Sequence, residues 1–199
     1  MADTAPMDPA VDLLERAVAQ LGDVIAALTP DQAFLPTPCD DWQVRRLLDH
    51  IVGQILPAFL IAARGEMPDW SAPPVPLDDN WGEEYRIRAG WLLEVWRTAD
   101  LEQPVPGMGG PAPLRGRTDQ QIAEFAVHAW DLTRATGQGR TLDPDLAEAA
   151  LAWSKPLLKP EFRGPGRAFG PEVPIAADAP IYDRMAAWFG RDPDWAADA

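Results

Sequence analysis

His50 and His128 are the only histidines in the chain. Glu124 precedes His128 by four residues, and residues at i and i+4 share one face of a helix. With His50 brought in from a second helix, they make a set of two histidines and one carboxylate. Three protein donors leave a metal ion with an open position, as in catalytic rather than closed structural zinc sites. Such a set accepts zinc first, with nickel, iron(II) or manganese as alternatives. An open zinc site lowers the pKa of bound water to about 7 and polarises carbonyls. It can equally hold a thiol as thiolate.

These donors need helices to position them, and the apolar spacing supplies them. Asp8-Pro9 is a start signal, followed by a stripe from Leu13 to Leu28 that Pro30 ends. A second helix is expected from about Trp42 to Ala63, kinked at Pro57 because proline removes a backbone bond. Asp79 to Thr98 reads as a third helix. Thr118 to Gln121 reads as a capping box opening a fourth, which Gly137 ends. Residues 66 to 77 and 156 to 175 are rich in proline and read as loops, and Gln103 to Arg117 reads as a short hairpin or a lid over the site. Pro144 to Trp153 and Ile181 to Phe189 complete the helices. The expectation is an all-α protein: an antiparallel four-helix bundle over 1–137, with an extension over 138–199 packed on it.

On the fourth helix Gln121, Glu124, His128 and Asp131 form a polar strip bordered by apolar residues on both sides. Such a strip either lines a cavity or is a solvated face, and periodicity alone leans to the second. His50 lies on the flank of its own apolar stripe, as a hydrogen-bonded core residue or as a ligand. At about 1.5 Å per residue it sits roughly 13 Å beyond its helix start and His128 roughly 15 Å beyond its own. Both are near mid-helix, so convergence is geometrically easy.

The net charge of −14 argues against nucleic acid and against anionic membrane surfaces. A single thiol, Cys39, points to a reducing compartment. The N-terminus shows no secretory pattern, and the longest apolar stretch, 55–63, is too short to cross a bilayer. The expectation is a cytoplasmic monomer or homodimer acting on a small molecule, without nucleic acid or membrane partners. Other residues have two readings each. Cys39 is expected at the helix mouth, as a small buried residue beside Asp40 and Asp41. Asp131 either orients a metal ligand or pairs with Arg134 or another arginine, and Asp49 is expected in solvent. Trp42 and Trp130 are core or pocket lining. Arg115 and Arg117 are solvated or hold a carboxylate of substrate or thiol.

Thr37-Pro-Cys-Asp-Asp-Trp42-Gln-Val-Arg-Arg-Leu-Leu-Asp-His50 resembles the opening motif of the DinB-like superfamily. It is most similar to the branch containing the N-terminal domain of mycothiol-dependent maleylpyruvate isomerase. Glu124-Phe-Ala-Val-His128-Ala-Trp-Asp-Leu-Thr-Arg-Ala-Thr-Gly137 resembles the second motif of that branch. The tail, from Phe169-Gly-Pro-Glu-Val to Phe189-Gly-Arg-Asp-Pro-Asp-Trp195, resembles a smaller uncharacterised subgroup. The resemblance implies a four-helix bundle with one divalent metal on His50, Glu124 and His128. It also implies a low-molecular-weight thiol co-substrate that attacks an electrophile. Isomerases of the family carry a separate C-terminal domain, which the segment after Gly137 does not match, so maleylpyruvate isomerisation itself does not carry over. The expected function is a metal-dependent, thiol-using transferase or isomerase. The alternatives are a non-catalytic metal- or thiol-binding stress protein and a hydrolase using metal-bound water.

Overall fold

The computed structural model describes residues 7–39, 42–107, 110–164 and 169–197. Helix α1 (Pro9–Ala26) starts where Asp8 accepts the Ala10 N–H, with Pro9 in the first turn. It buries Val11, Leu14, Ala17, Val18, Leu21, Val24 and Ile25, one stripe at helical spacing. After a 3₁₀ turn at Pro30–Phe34 the chain enters α2 (Val44–His50). It continues without a break through a π-helical turn, Ile51–Ile55, into α3 (Leu56–Ala63). Helix α4 spans Trp81–Trp96, α5 Arg115–Thr136, α6 Pro144–Ser154 and α7 Ile181–Trp188. The fold class is all-α; a two-residue antiparallel pair, β1 (Pro104–Val105) with β2 (Ala112–Pro113), is the one sheet among the described residues.

α1 packs on α4 and α5, and the α2–α3 rod packs on the same two helices. The four rods share one apolar core, and α6 and α7 pack against α5 and extend that core with Leu146, Ala150, Leu151 and Met185. The rod Val44–Ala63 has the length and apolar composition of a membrane span, with a mean hydropathy of 1.4, contrary to the expectation from 55–63 alone. It is the central core helix here, 61% buried by the other elements.

The expected kink at Pro57 takes a different form. The Leu56 N–H bonds to the Ile51 carbonyl, one residue further back than an α-helical bond. Pro57 cannot donate to Gly53, and the Gly53 carbonyl accepts the Val75 N–H instead, at 3.3 Å. A Cβ on Gly53 would collide with the Val75 carbonyl oxygen, so only glycine lets the loop approach there. Other side chains of the same rod pin that loop. Gln54 Nε2 donates to the carbonyls of Trp70 and Ala72, Asp49 accepts the Leu77 N–H, and Arg45 donates to the Leu77 carbonyl. Asp49 is therefore occupied by backbone rather than by solvent.

Helix α5 starts three residues before the expected capping box. Leu114 and Arg115 donate their N–H groups to the carbonyls of Gln103 and Leu101, which fixes the first turn from outside the helix. Thr118 then donates back to the Arg115 carbonyl, and Gln121 is buried, accepting from Trp96 Nε1. The helix ends as expected at Gly137, whose φ of 65° is left-handed.

Candidate metal centre

His50 ends α2 and Glu124 and His128 sit one turn apart on α5. Their donor atoms all lie within 4.8 Å of one another. The polar strip of α5 is thus turned inward: Glu124 and His128 line a cavity of about 700 Å³, while Gln121 and Asp131 are fully buried. The two imidazoles stand nearly perpendicular, at 86° and 5.3 Å between centroids. Trp42 packs its edge against His50 at 5.0 Å.

Neighbouring groups fix which ring nitrogen each histidine offers. Gln54 spends its amide N–H groups on two loop carbonyls, so its Oε1 accepts from His50 Nδ1, at 2.7 Å. Asp131 accepts from His128 Nδ1 at 3.0 Å. Both rings therefore turn Nε2 toward the cavity. His128 Nε2 is buried, hydrogen-bonds to nothing among the described residues, and stands 3.4 Å from Glu124 Oε2. A buried unpaired imidazole nitrogen is costly unless something completes it. That nitrogen, the Nε2 of His50 and a carboxylate oxygen fit a divalent ion of zinc type. Asp131 behind His128 supplies the outer hydrogen bond that such ligands need.

The electrostatics follow the same plan. Burial, then the charge of His128, pushes His50 down to about 4, so its Nε2 keeps a lone pair at neutral pH. Burial also opposes charge on His128, but the neighbouring Asp131, Cys39 and Glu124 prevail and hold its pKa well above the usual histidine range. Burial works to raise Glu124, yet His128, His50 and Arg191 keep its carboxyl below the ordinary value. Asp131 is fully buried and is held far below the carboxylate range, against the effect of burial, by Arg191 and His128.

Arg191, from the chain after α7, is the counter-charge. Its Nε and Nη2 reach the two oxygens of Asp131 at 3.2 and 3.1 Å, and its Nη1 reaches the Phe189 carbonyl. Cys39 joins them, its thiol donating to Asp131 at 3.0 Å with Arg191 Nη2 at 3.3 Å. Burial, then the charge of Asp131, pushes that thiol up, so it is a donor and not a nucleophile. Cys39, His128 and Asp131 also come within 4.8 Å of one another, but the Arg191 guanidinium already supplies the cation there. Cys39 is thus part of the site rather than remote from it; Asp40 and Asp41 lie outside the described residues. Asp131 does orient His128, and its ion pair is with Arg191, since Arg134 is taken by Asp183.

Trp42 lines the cavity, and Trp130 does not: it is 3% exposed with Arg134 stacked over it. Arg115 and Arg117 also lie elsewhere. Arg115 pairs with Asp8 and Glu102, and Arg117 donates to Gln120 and the Pro106 carbonyl. The segment Gln103–Arg117 therefore does not cover the site; Met108 and Gly109 lie outside the described residues. The outer wall is built instead by Trp153, Gly164, Phe169–Pro171 and Phe189–Arg191. There two stretches cross backbone to backbone. Gly190, at φ 84°, lies so near Gly170 that a Cβ on it would come to 2.7 Å from the Gly170 Cα.

The family model of the mycothiol maleylpyruvate isomerase N-terminal domain matches residues 14–133. An uncharacterized protein of Mycobacterium tuberculosis, found in two strains, is 31% identical over 193 residues, covering 93% of this chain and 98% of the relative. The crystal structure of mycothiol-dependent maleylpyruvate isomerase superposes with a TM-score of 0.56 at 16% identity, over 75% of this chain and 68% of that one. A variant of that enzyme with a histidine replaced by alanine gives the same TM-score at 15% identity.

Proposed function

The chain belongs to the family of the mycothiol maleylpyruvate isomerase N-terminal domain, and on that footing we propose that it is a divalent-metal-dependent enzyme using a low-molecular-weight thiol. It acts as a transferase or isomerase on a small electrophile, in the reducing cytoplasm. The observation that carries this reading is the buried, unpartnered Nε2 of His128, facing Glu124 and His50 at the floor of a cavity. Zinc suits the donor set best.

The ion, when bound, supplies positive charge that stabilises a thiolate and polarises the electrophile. The chain's own residues do the rest. Gln54 and Asp131 hold the two Nδ1–H groups, so both Nε2 lone pairs converge. Arg191 neutralises Asp131 and ties the outer wall to the metal ligand. Trp42, Trp153, Phe169 and Phe189 keep bulk water from the reacting atoms. The co-substrate's thiol adds across the electrophile's double bond: its sulfur bonds to the electrophilic carbon, the π bond opens, and the neighbouring atom takes the proton that the thiol gives up. In a transfer that thioether is the product. In an isomerisation the same bond breaks again after rotation, and the thiol is regenerated. Cys39, protonated and hydrogen-bonded, does not supply the sulfur. Among the described residues Glu124 is the only carboxylate lining the cavity, so the proton given up by the thiol is not taken by a second carboxylate there.

Elemental analysis of wild type beside His50→Ala and His128→Ala tests the centre. One tightly bound metal per chain, lost in both variants with helicity retained, is the expected result. Turnover across a panel of electrophiles should require added thiol and stop with a chelator. Unchanged metal content in the variants, or turnover without thiol, would overturn the reading.

A further inference from the structure

The walls of the cavity speak to what enters it. Trp42, Val127, Trp153, Phe169, Pro171 and Phe189 supply an apolar, largely aromatic lining. Phe169 and Phe189 lie 5.8 Å apart between centroids and form one continuous surface. Among the described residues Arg191 is the only arginine or lysine in the lining. Its fork is engaged by Asp131, Cys39 and the Phe189 carbonyl. Gln54, the only amide there, has its oxygen on His50 and its nitrogen on Trp70 and Ala72. With a divalent ion on the three donors, Glu124 and the co-substrate's thiolate match its two charges. Among the described residues no further cationic side chain lines the cavity to balance another anion.

Resting on the function proposed above, we infer that the electrophile is an uncharged molecule with an aromatic or branched apolar body, and that this cavity rejects dicarboxylates. Apolar surface gains by leaving water for such walls. A carboxylate placed there loses its hydration and finds no unengaged cationic side chain among the described residues, which is heavily penalised. A pair of carboxylates incurs that loss twice.

The test uses the full chain as purified, with metal content measured on the same sample and saturating mycothiol present. Unreactive probes stand in for the two substrate classes: 4-phenylbutan-2-one for the neutral one, succinate for the dicarboxylate. Isothermal titration calorimetry is expected to show the ketone binding at least tenfold tighter than succinate. Phe169→Arg, which sets an unengaged guanidinium on the wall, is expected to move that ratio at least tenfold toward succinate while its thermal melt stays at the wild-type value. Succinate binding as tightly as the ketone, or no detectable ketone binding, would overturn the inference. So would an unmoved ratio in a folded Phe169→Arg. Arg167 lies outside the described residues, and a dicarboxylate held by it would appear as the first of these results. A sample without metal or without thiol-dependent turnover sinks the functional reading, whereas a metal-loaded sample with thiol-dependent turnover that binds succinate as tightly as the ketone sinks the inference alone.

Discussion

Asp131 accepts hydrogen bonds from His128, Cys39 and Arg191 while exposing none of its surface. Asp131→Asn removes the charge that Arg191 needs and leaves a guanidinium buried without a counter-ion. A loss of about 3–5 kcal/mol in unfolding free energy is expected, together with a drop of roughly 10–100-fold in metal affinity as His128 loses its orienting partner. Urea melts and chelator competition measure the two; unchanged affinity would mean that packing alone holds His128. A second prediction follows from protonation. The metal-free pKa of His128 is raised, so at pH 7 the ring carries a proton on the nitrogen the ion must take. His50 has its pKa lowered to about 4, so it is already neutral. Loading at pH 7 should therefore release about one proton per ion, from His128, and affinity should rise with pH until that ring is neutral. Calorimetry in buffers of different ionisation enthalpy reads the proton count, and a count of zero contradicts the assignment. Glu124, His128 and Asp131 could be found from sequence because one helix spaces them. Gln54 follows His50 by four residues and was open to the same argument. Cys39 and Arg191 were not, for they reach Asp131 from 92 and 60 residues away and only folding pairs them.

The rod that carries His50 shows which features local rules do and do not reveal. Its apolar spacing marked it as a helix, and Pro57 marked a disturbance. The π-turn itself has no propensity signature, since it depends on Val75 arriving to take the carbonyl that Pro57 leaves free. The early start of α5 has the same origin: a side-chain capping pattern was present at Thr118, but backbone bonds from Leu101 and Gln103 began the helix first. Gly53→Ala tests the contact directly. The added methyl pushes the Val75 backbone away and strips Gln54 of the loop carbonyls that orient it toward His50. A stability loss of about 1–3 kcal/mol is expected in a urea melt, with weaker metal retention on dialysis. A variant matching wild type in both would show that the loop yields without cost.

Across the whole chain, the helices and their order were readable from apolar periodicity. What closes the cavity was not. The segment before α5 was the natural choice for a cover, because it precedes a ligand helix in sequence. Distance along the chain is a poor guide to distance across it, and the tail beyond α7 holds that place through Arg191. That tail is held in position beside the crossing of Gly170 and Gly190, where two bare backbones touch. Arg163 Nη1, donating to the carbonyls of Gly170 and Trp188, and the Phe169–Phe189 contact are what hold that clasp, whereas the rods share an extensive core, so the clasp should open first on warming. The ion would then escape at a lower temperature than the helices unravel. A chromogenic chelator and far-ultraviolet circular dichroism followed in one temperature ramp should give two midpoints, and Gly190→Ala should lower the first while sparing the second. A single shared midpoint would mean that clasp and rods come apart together.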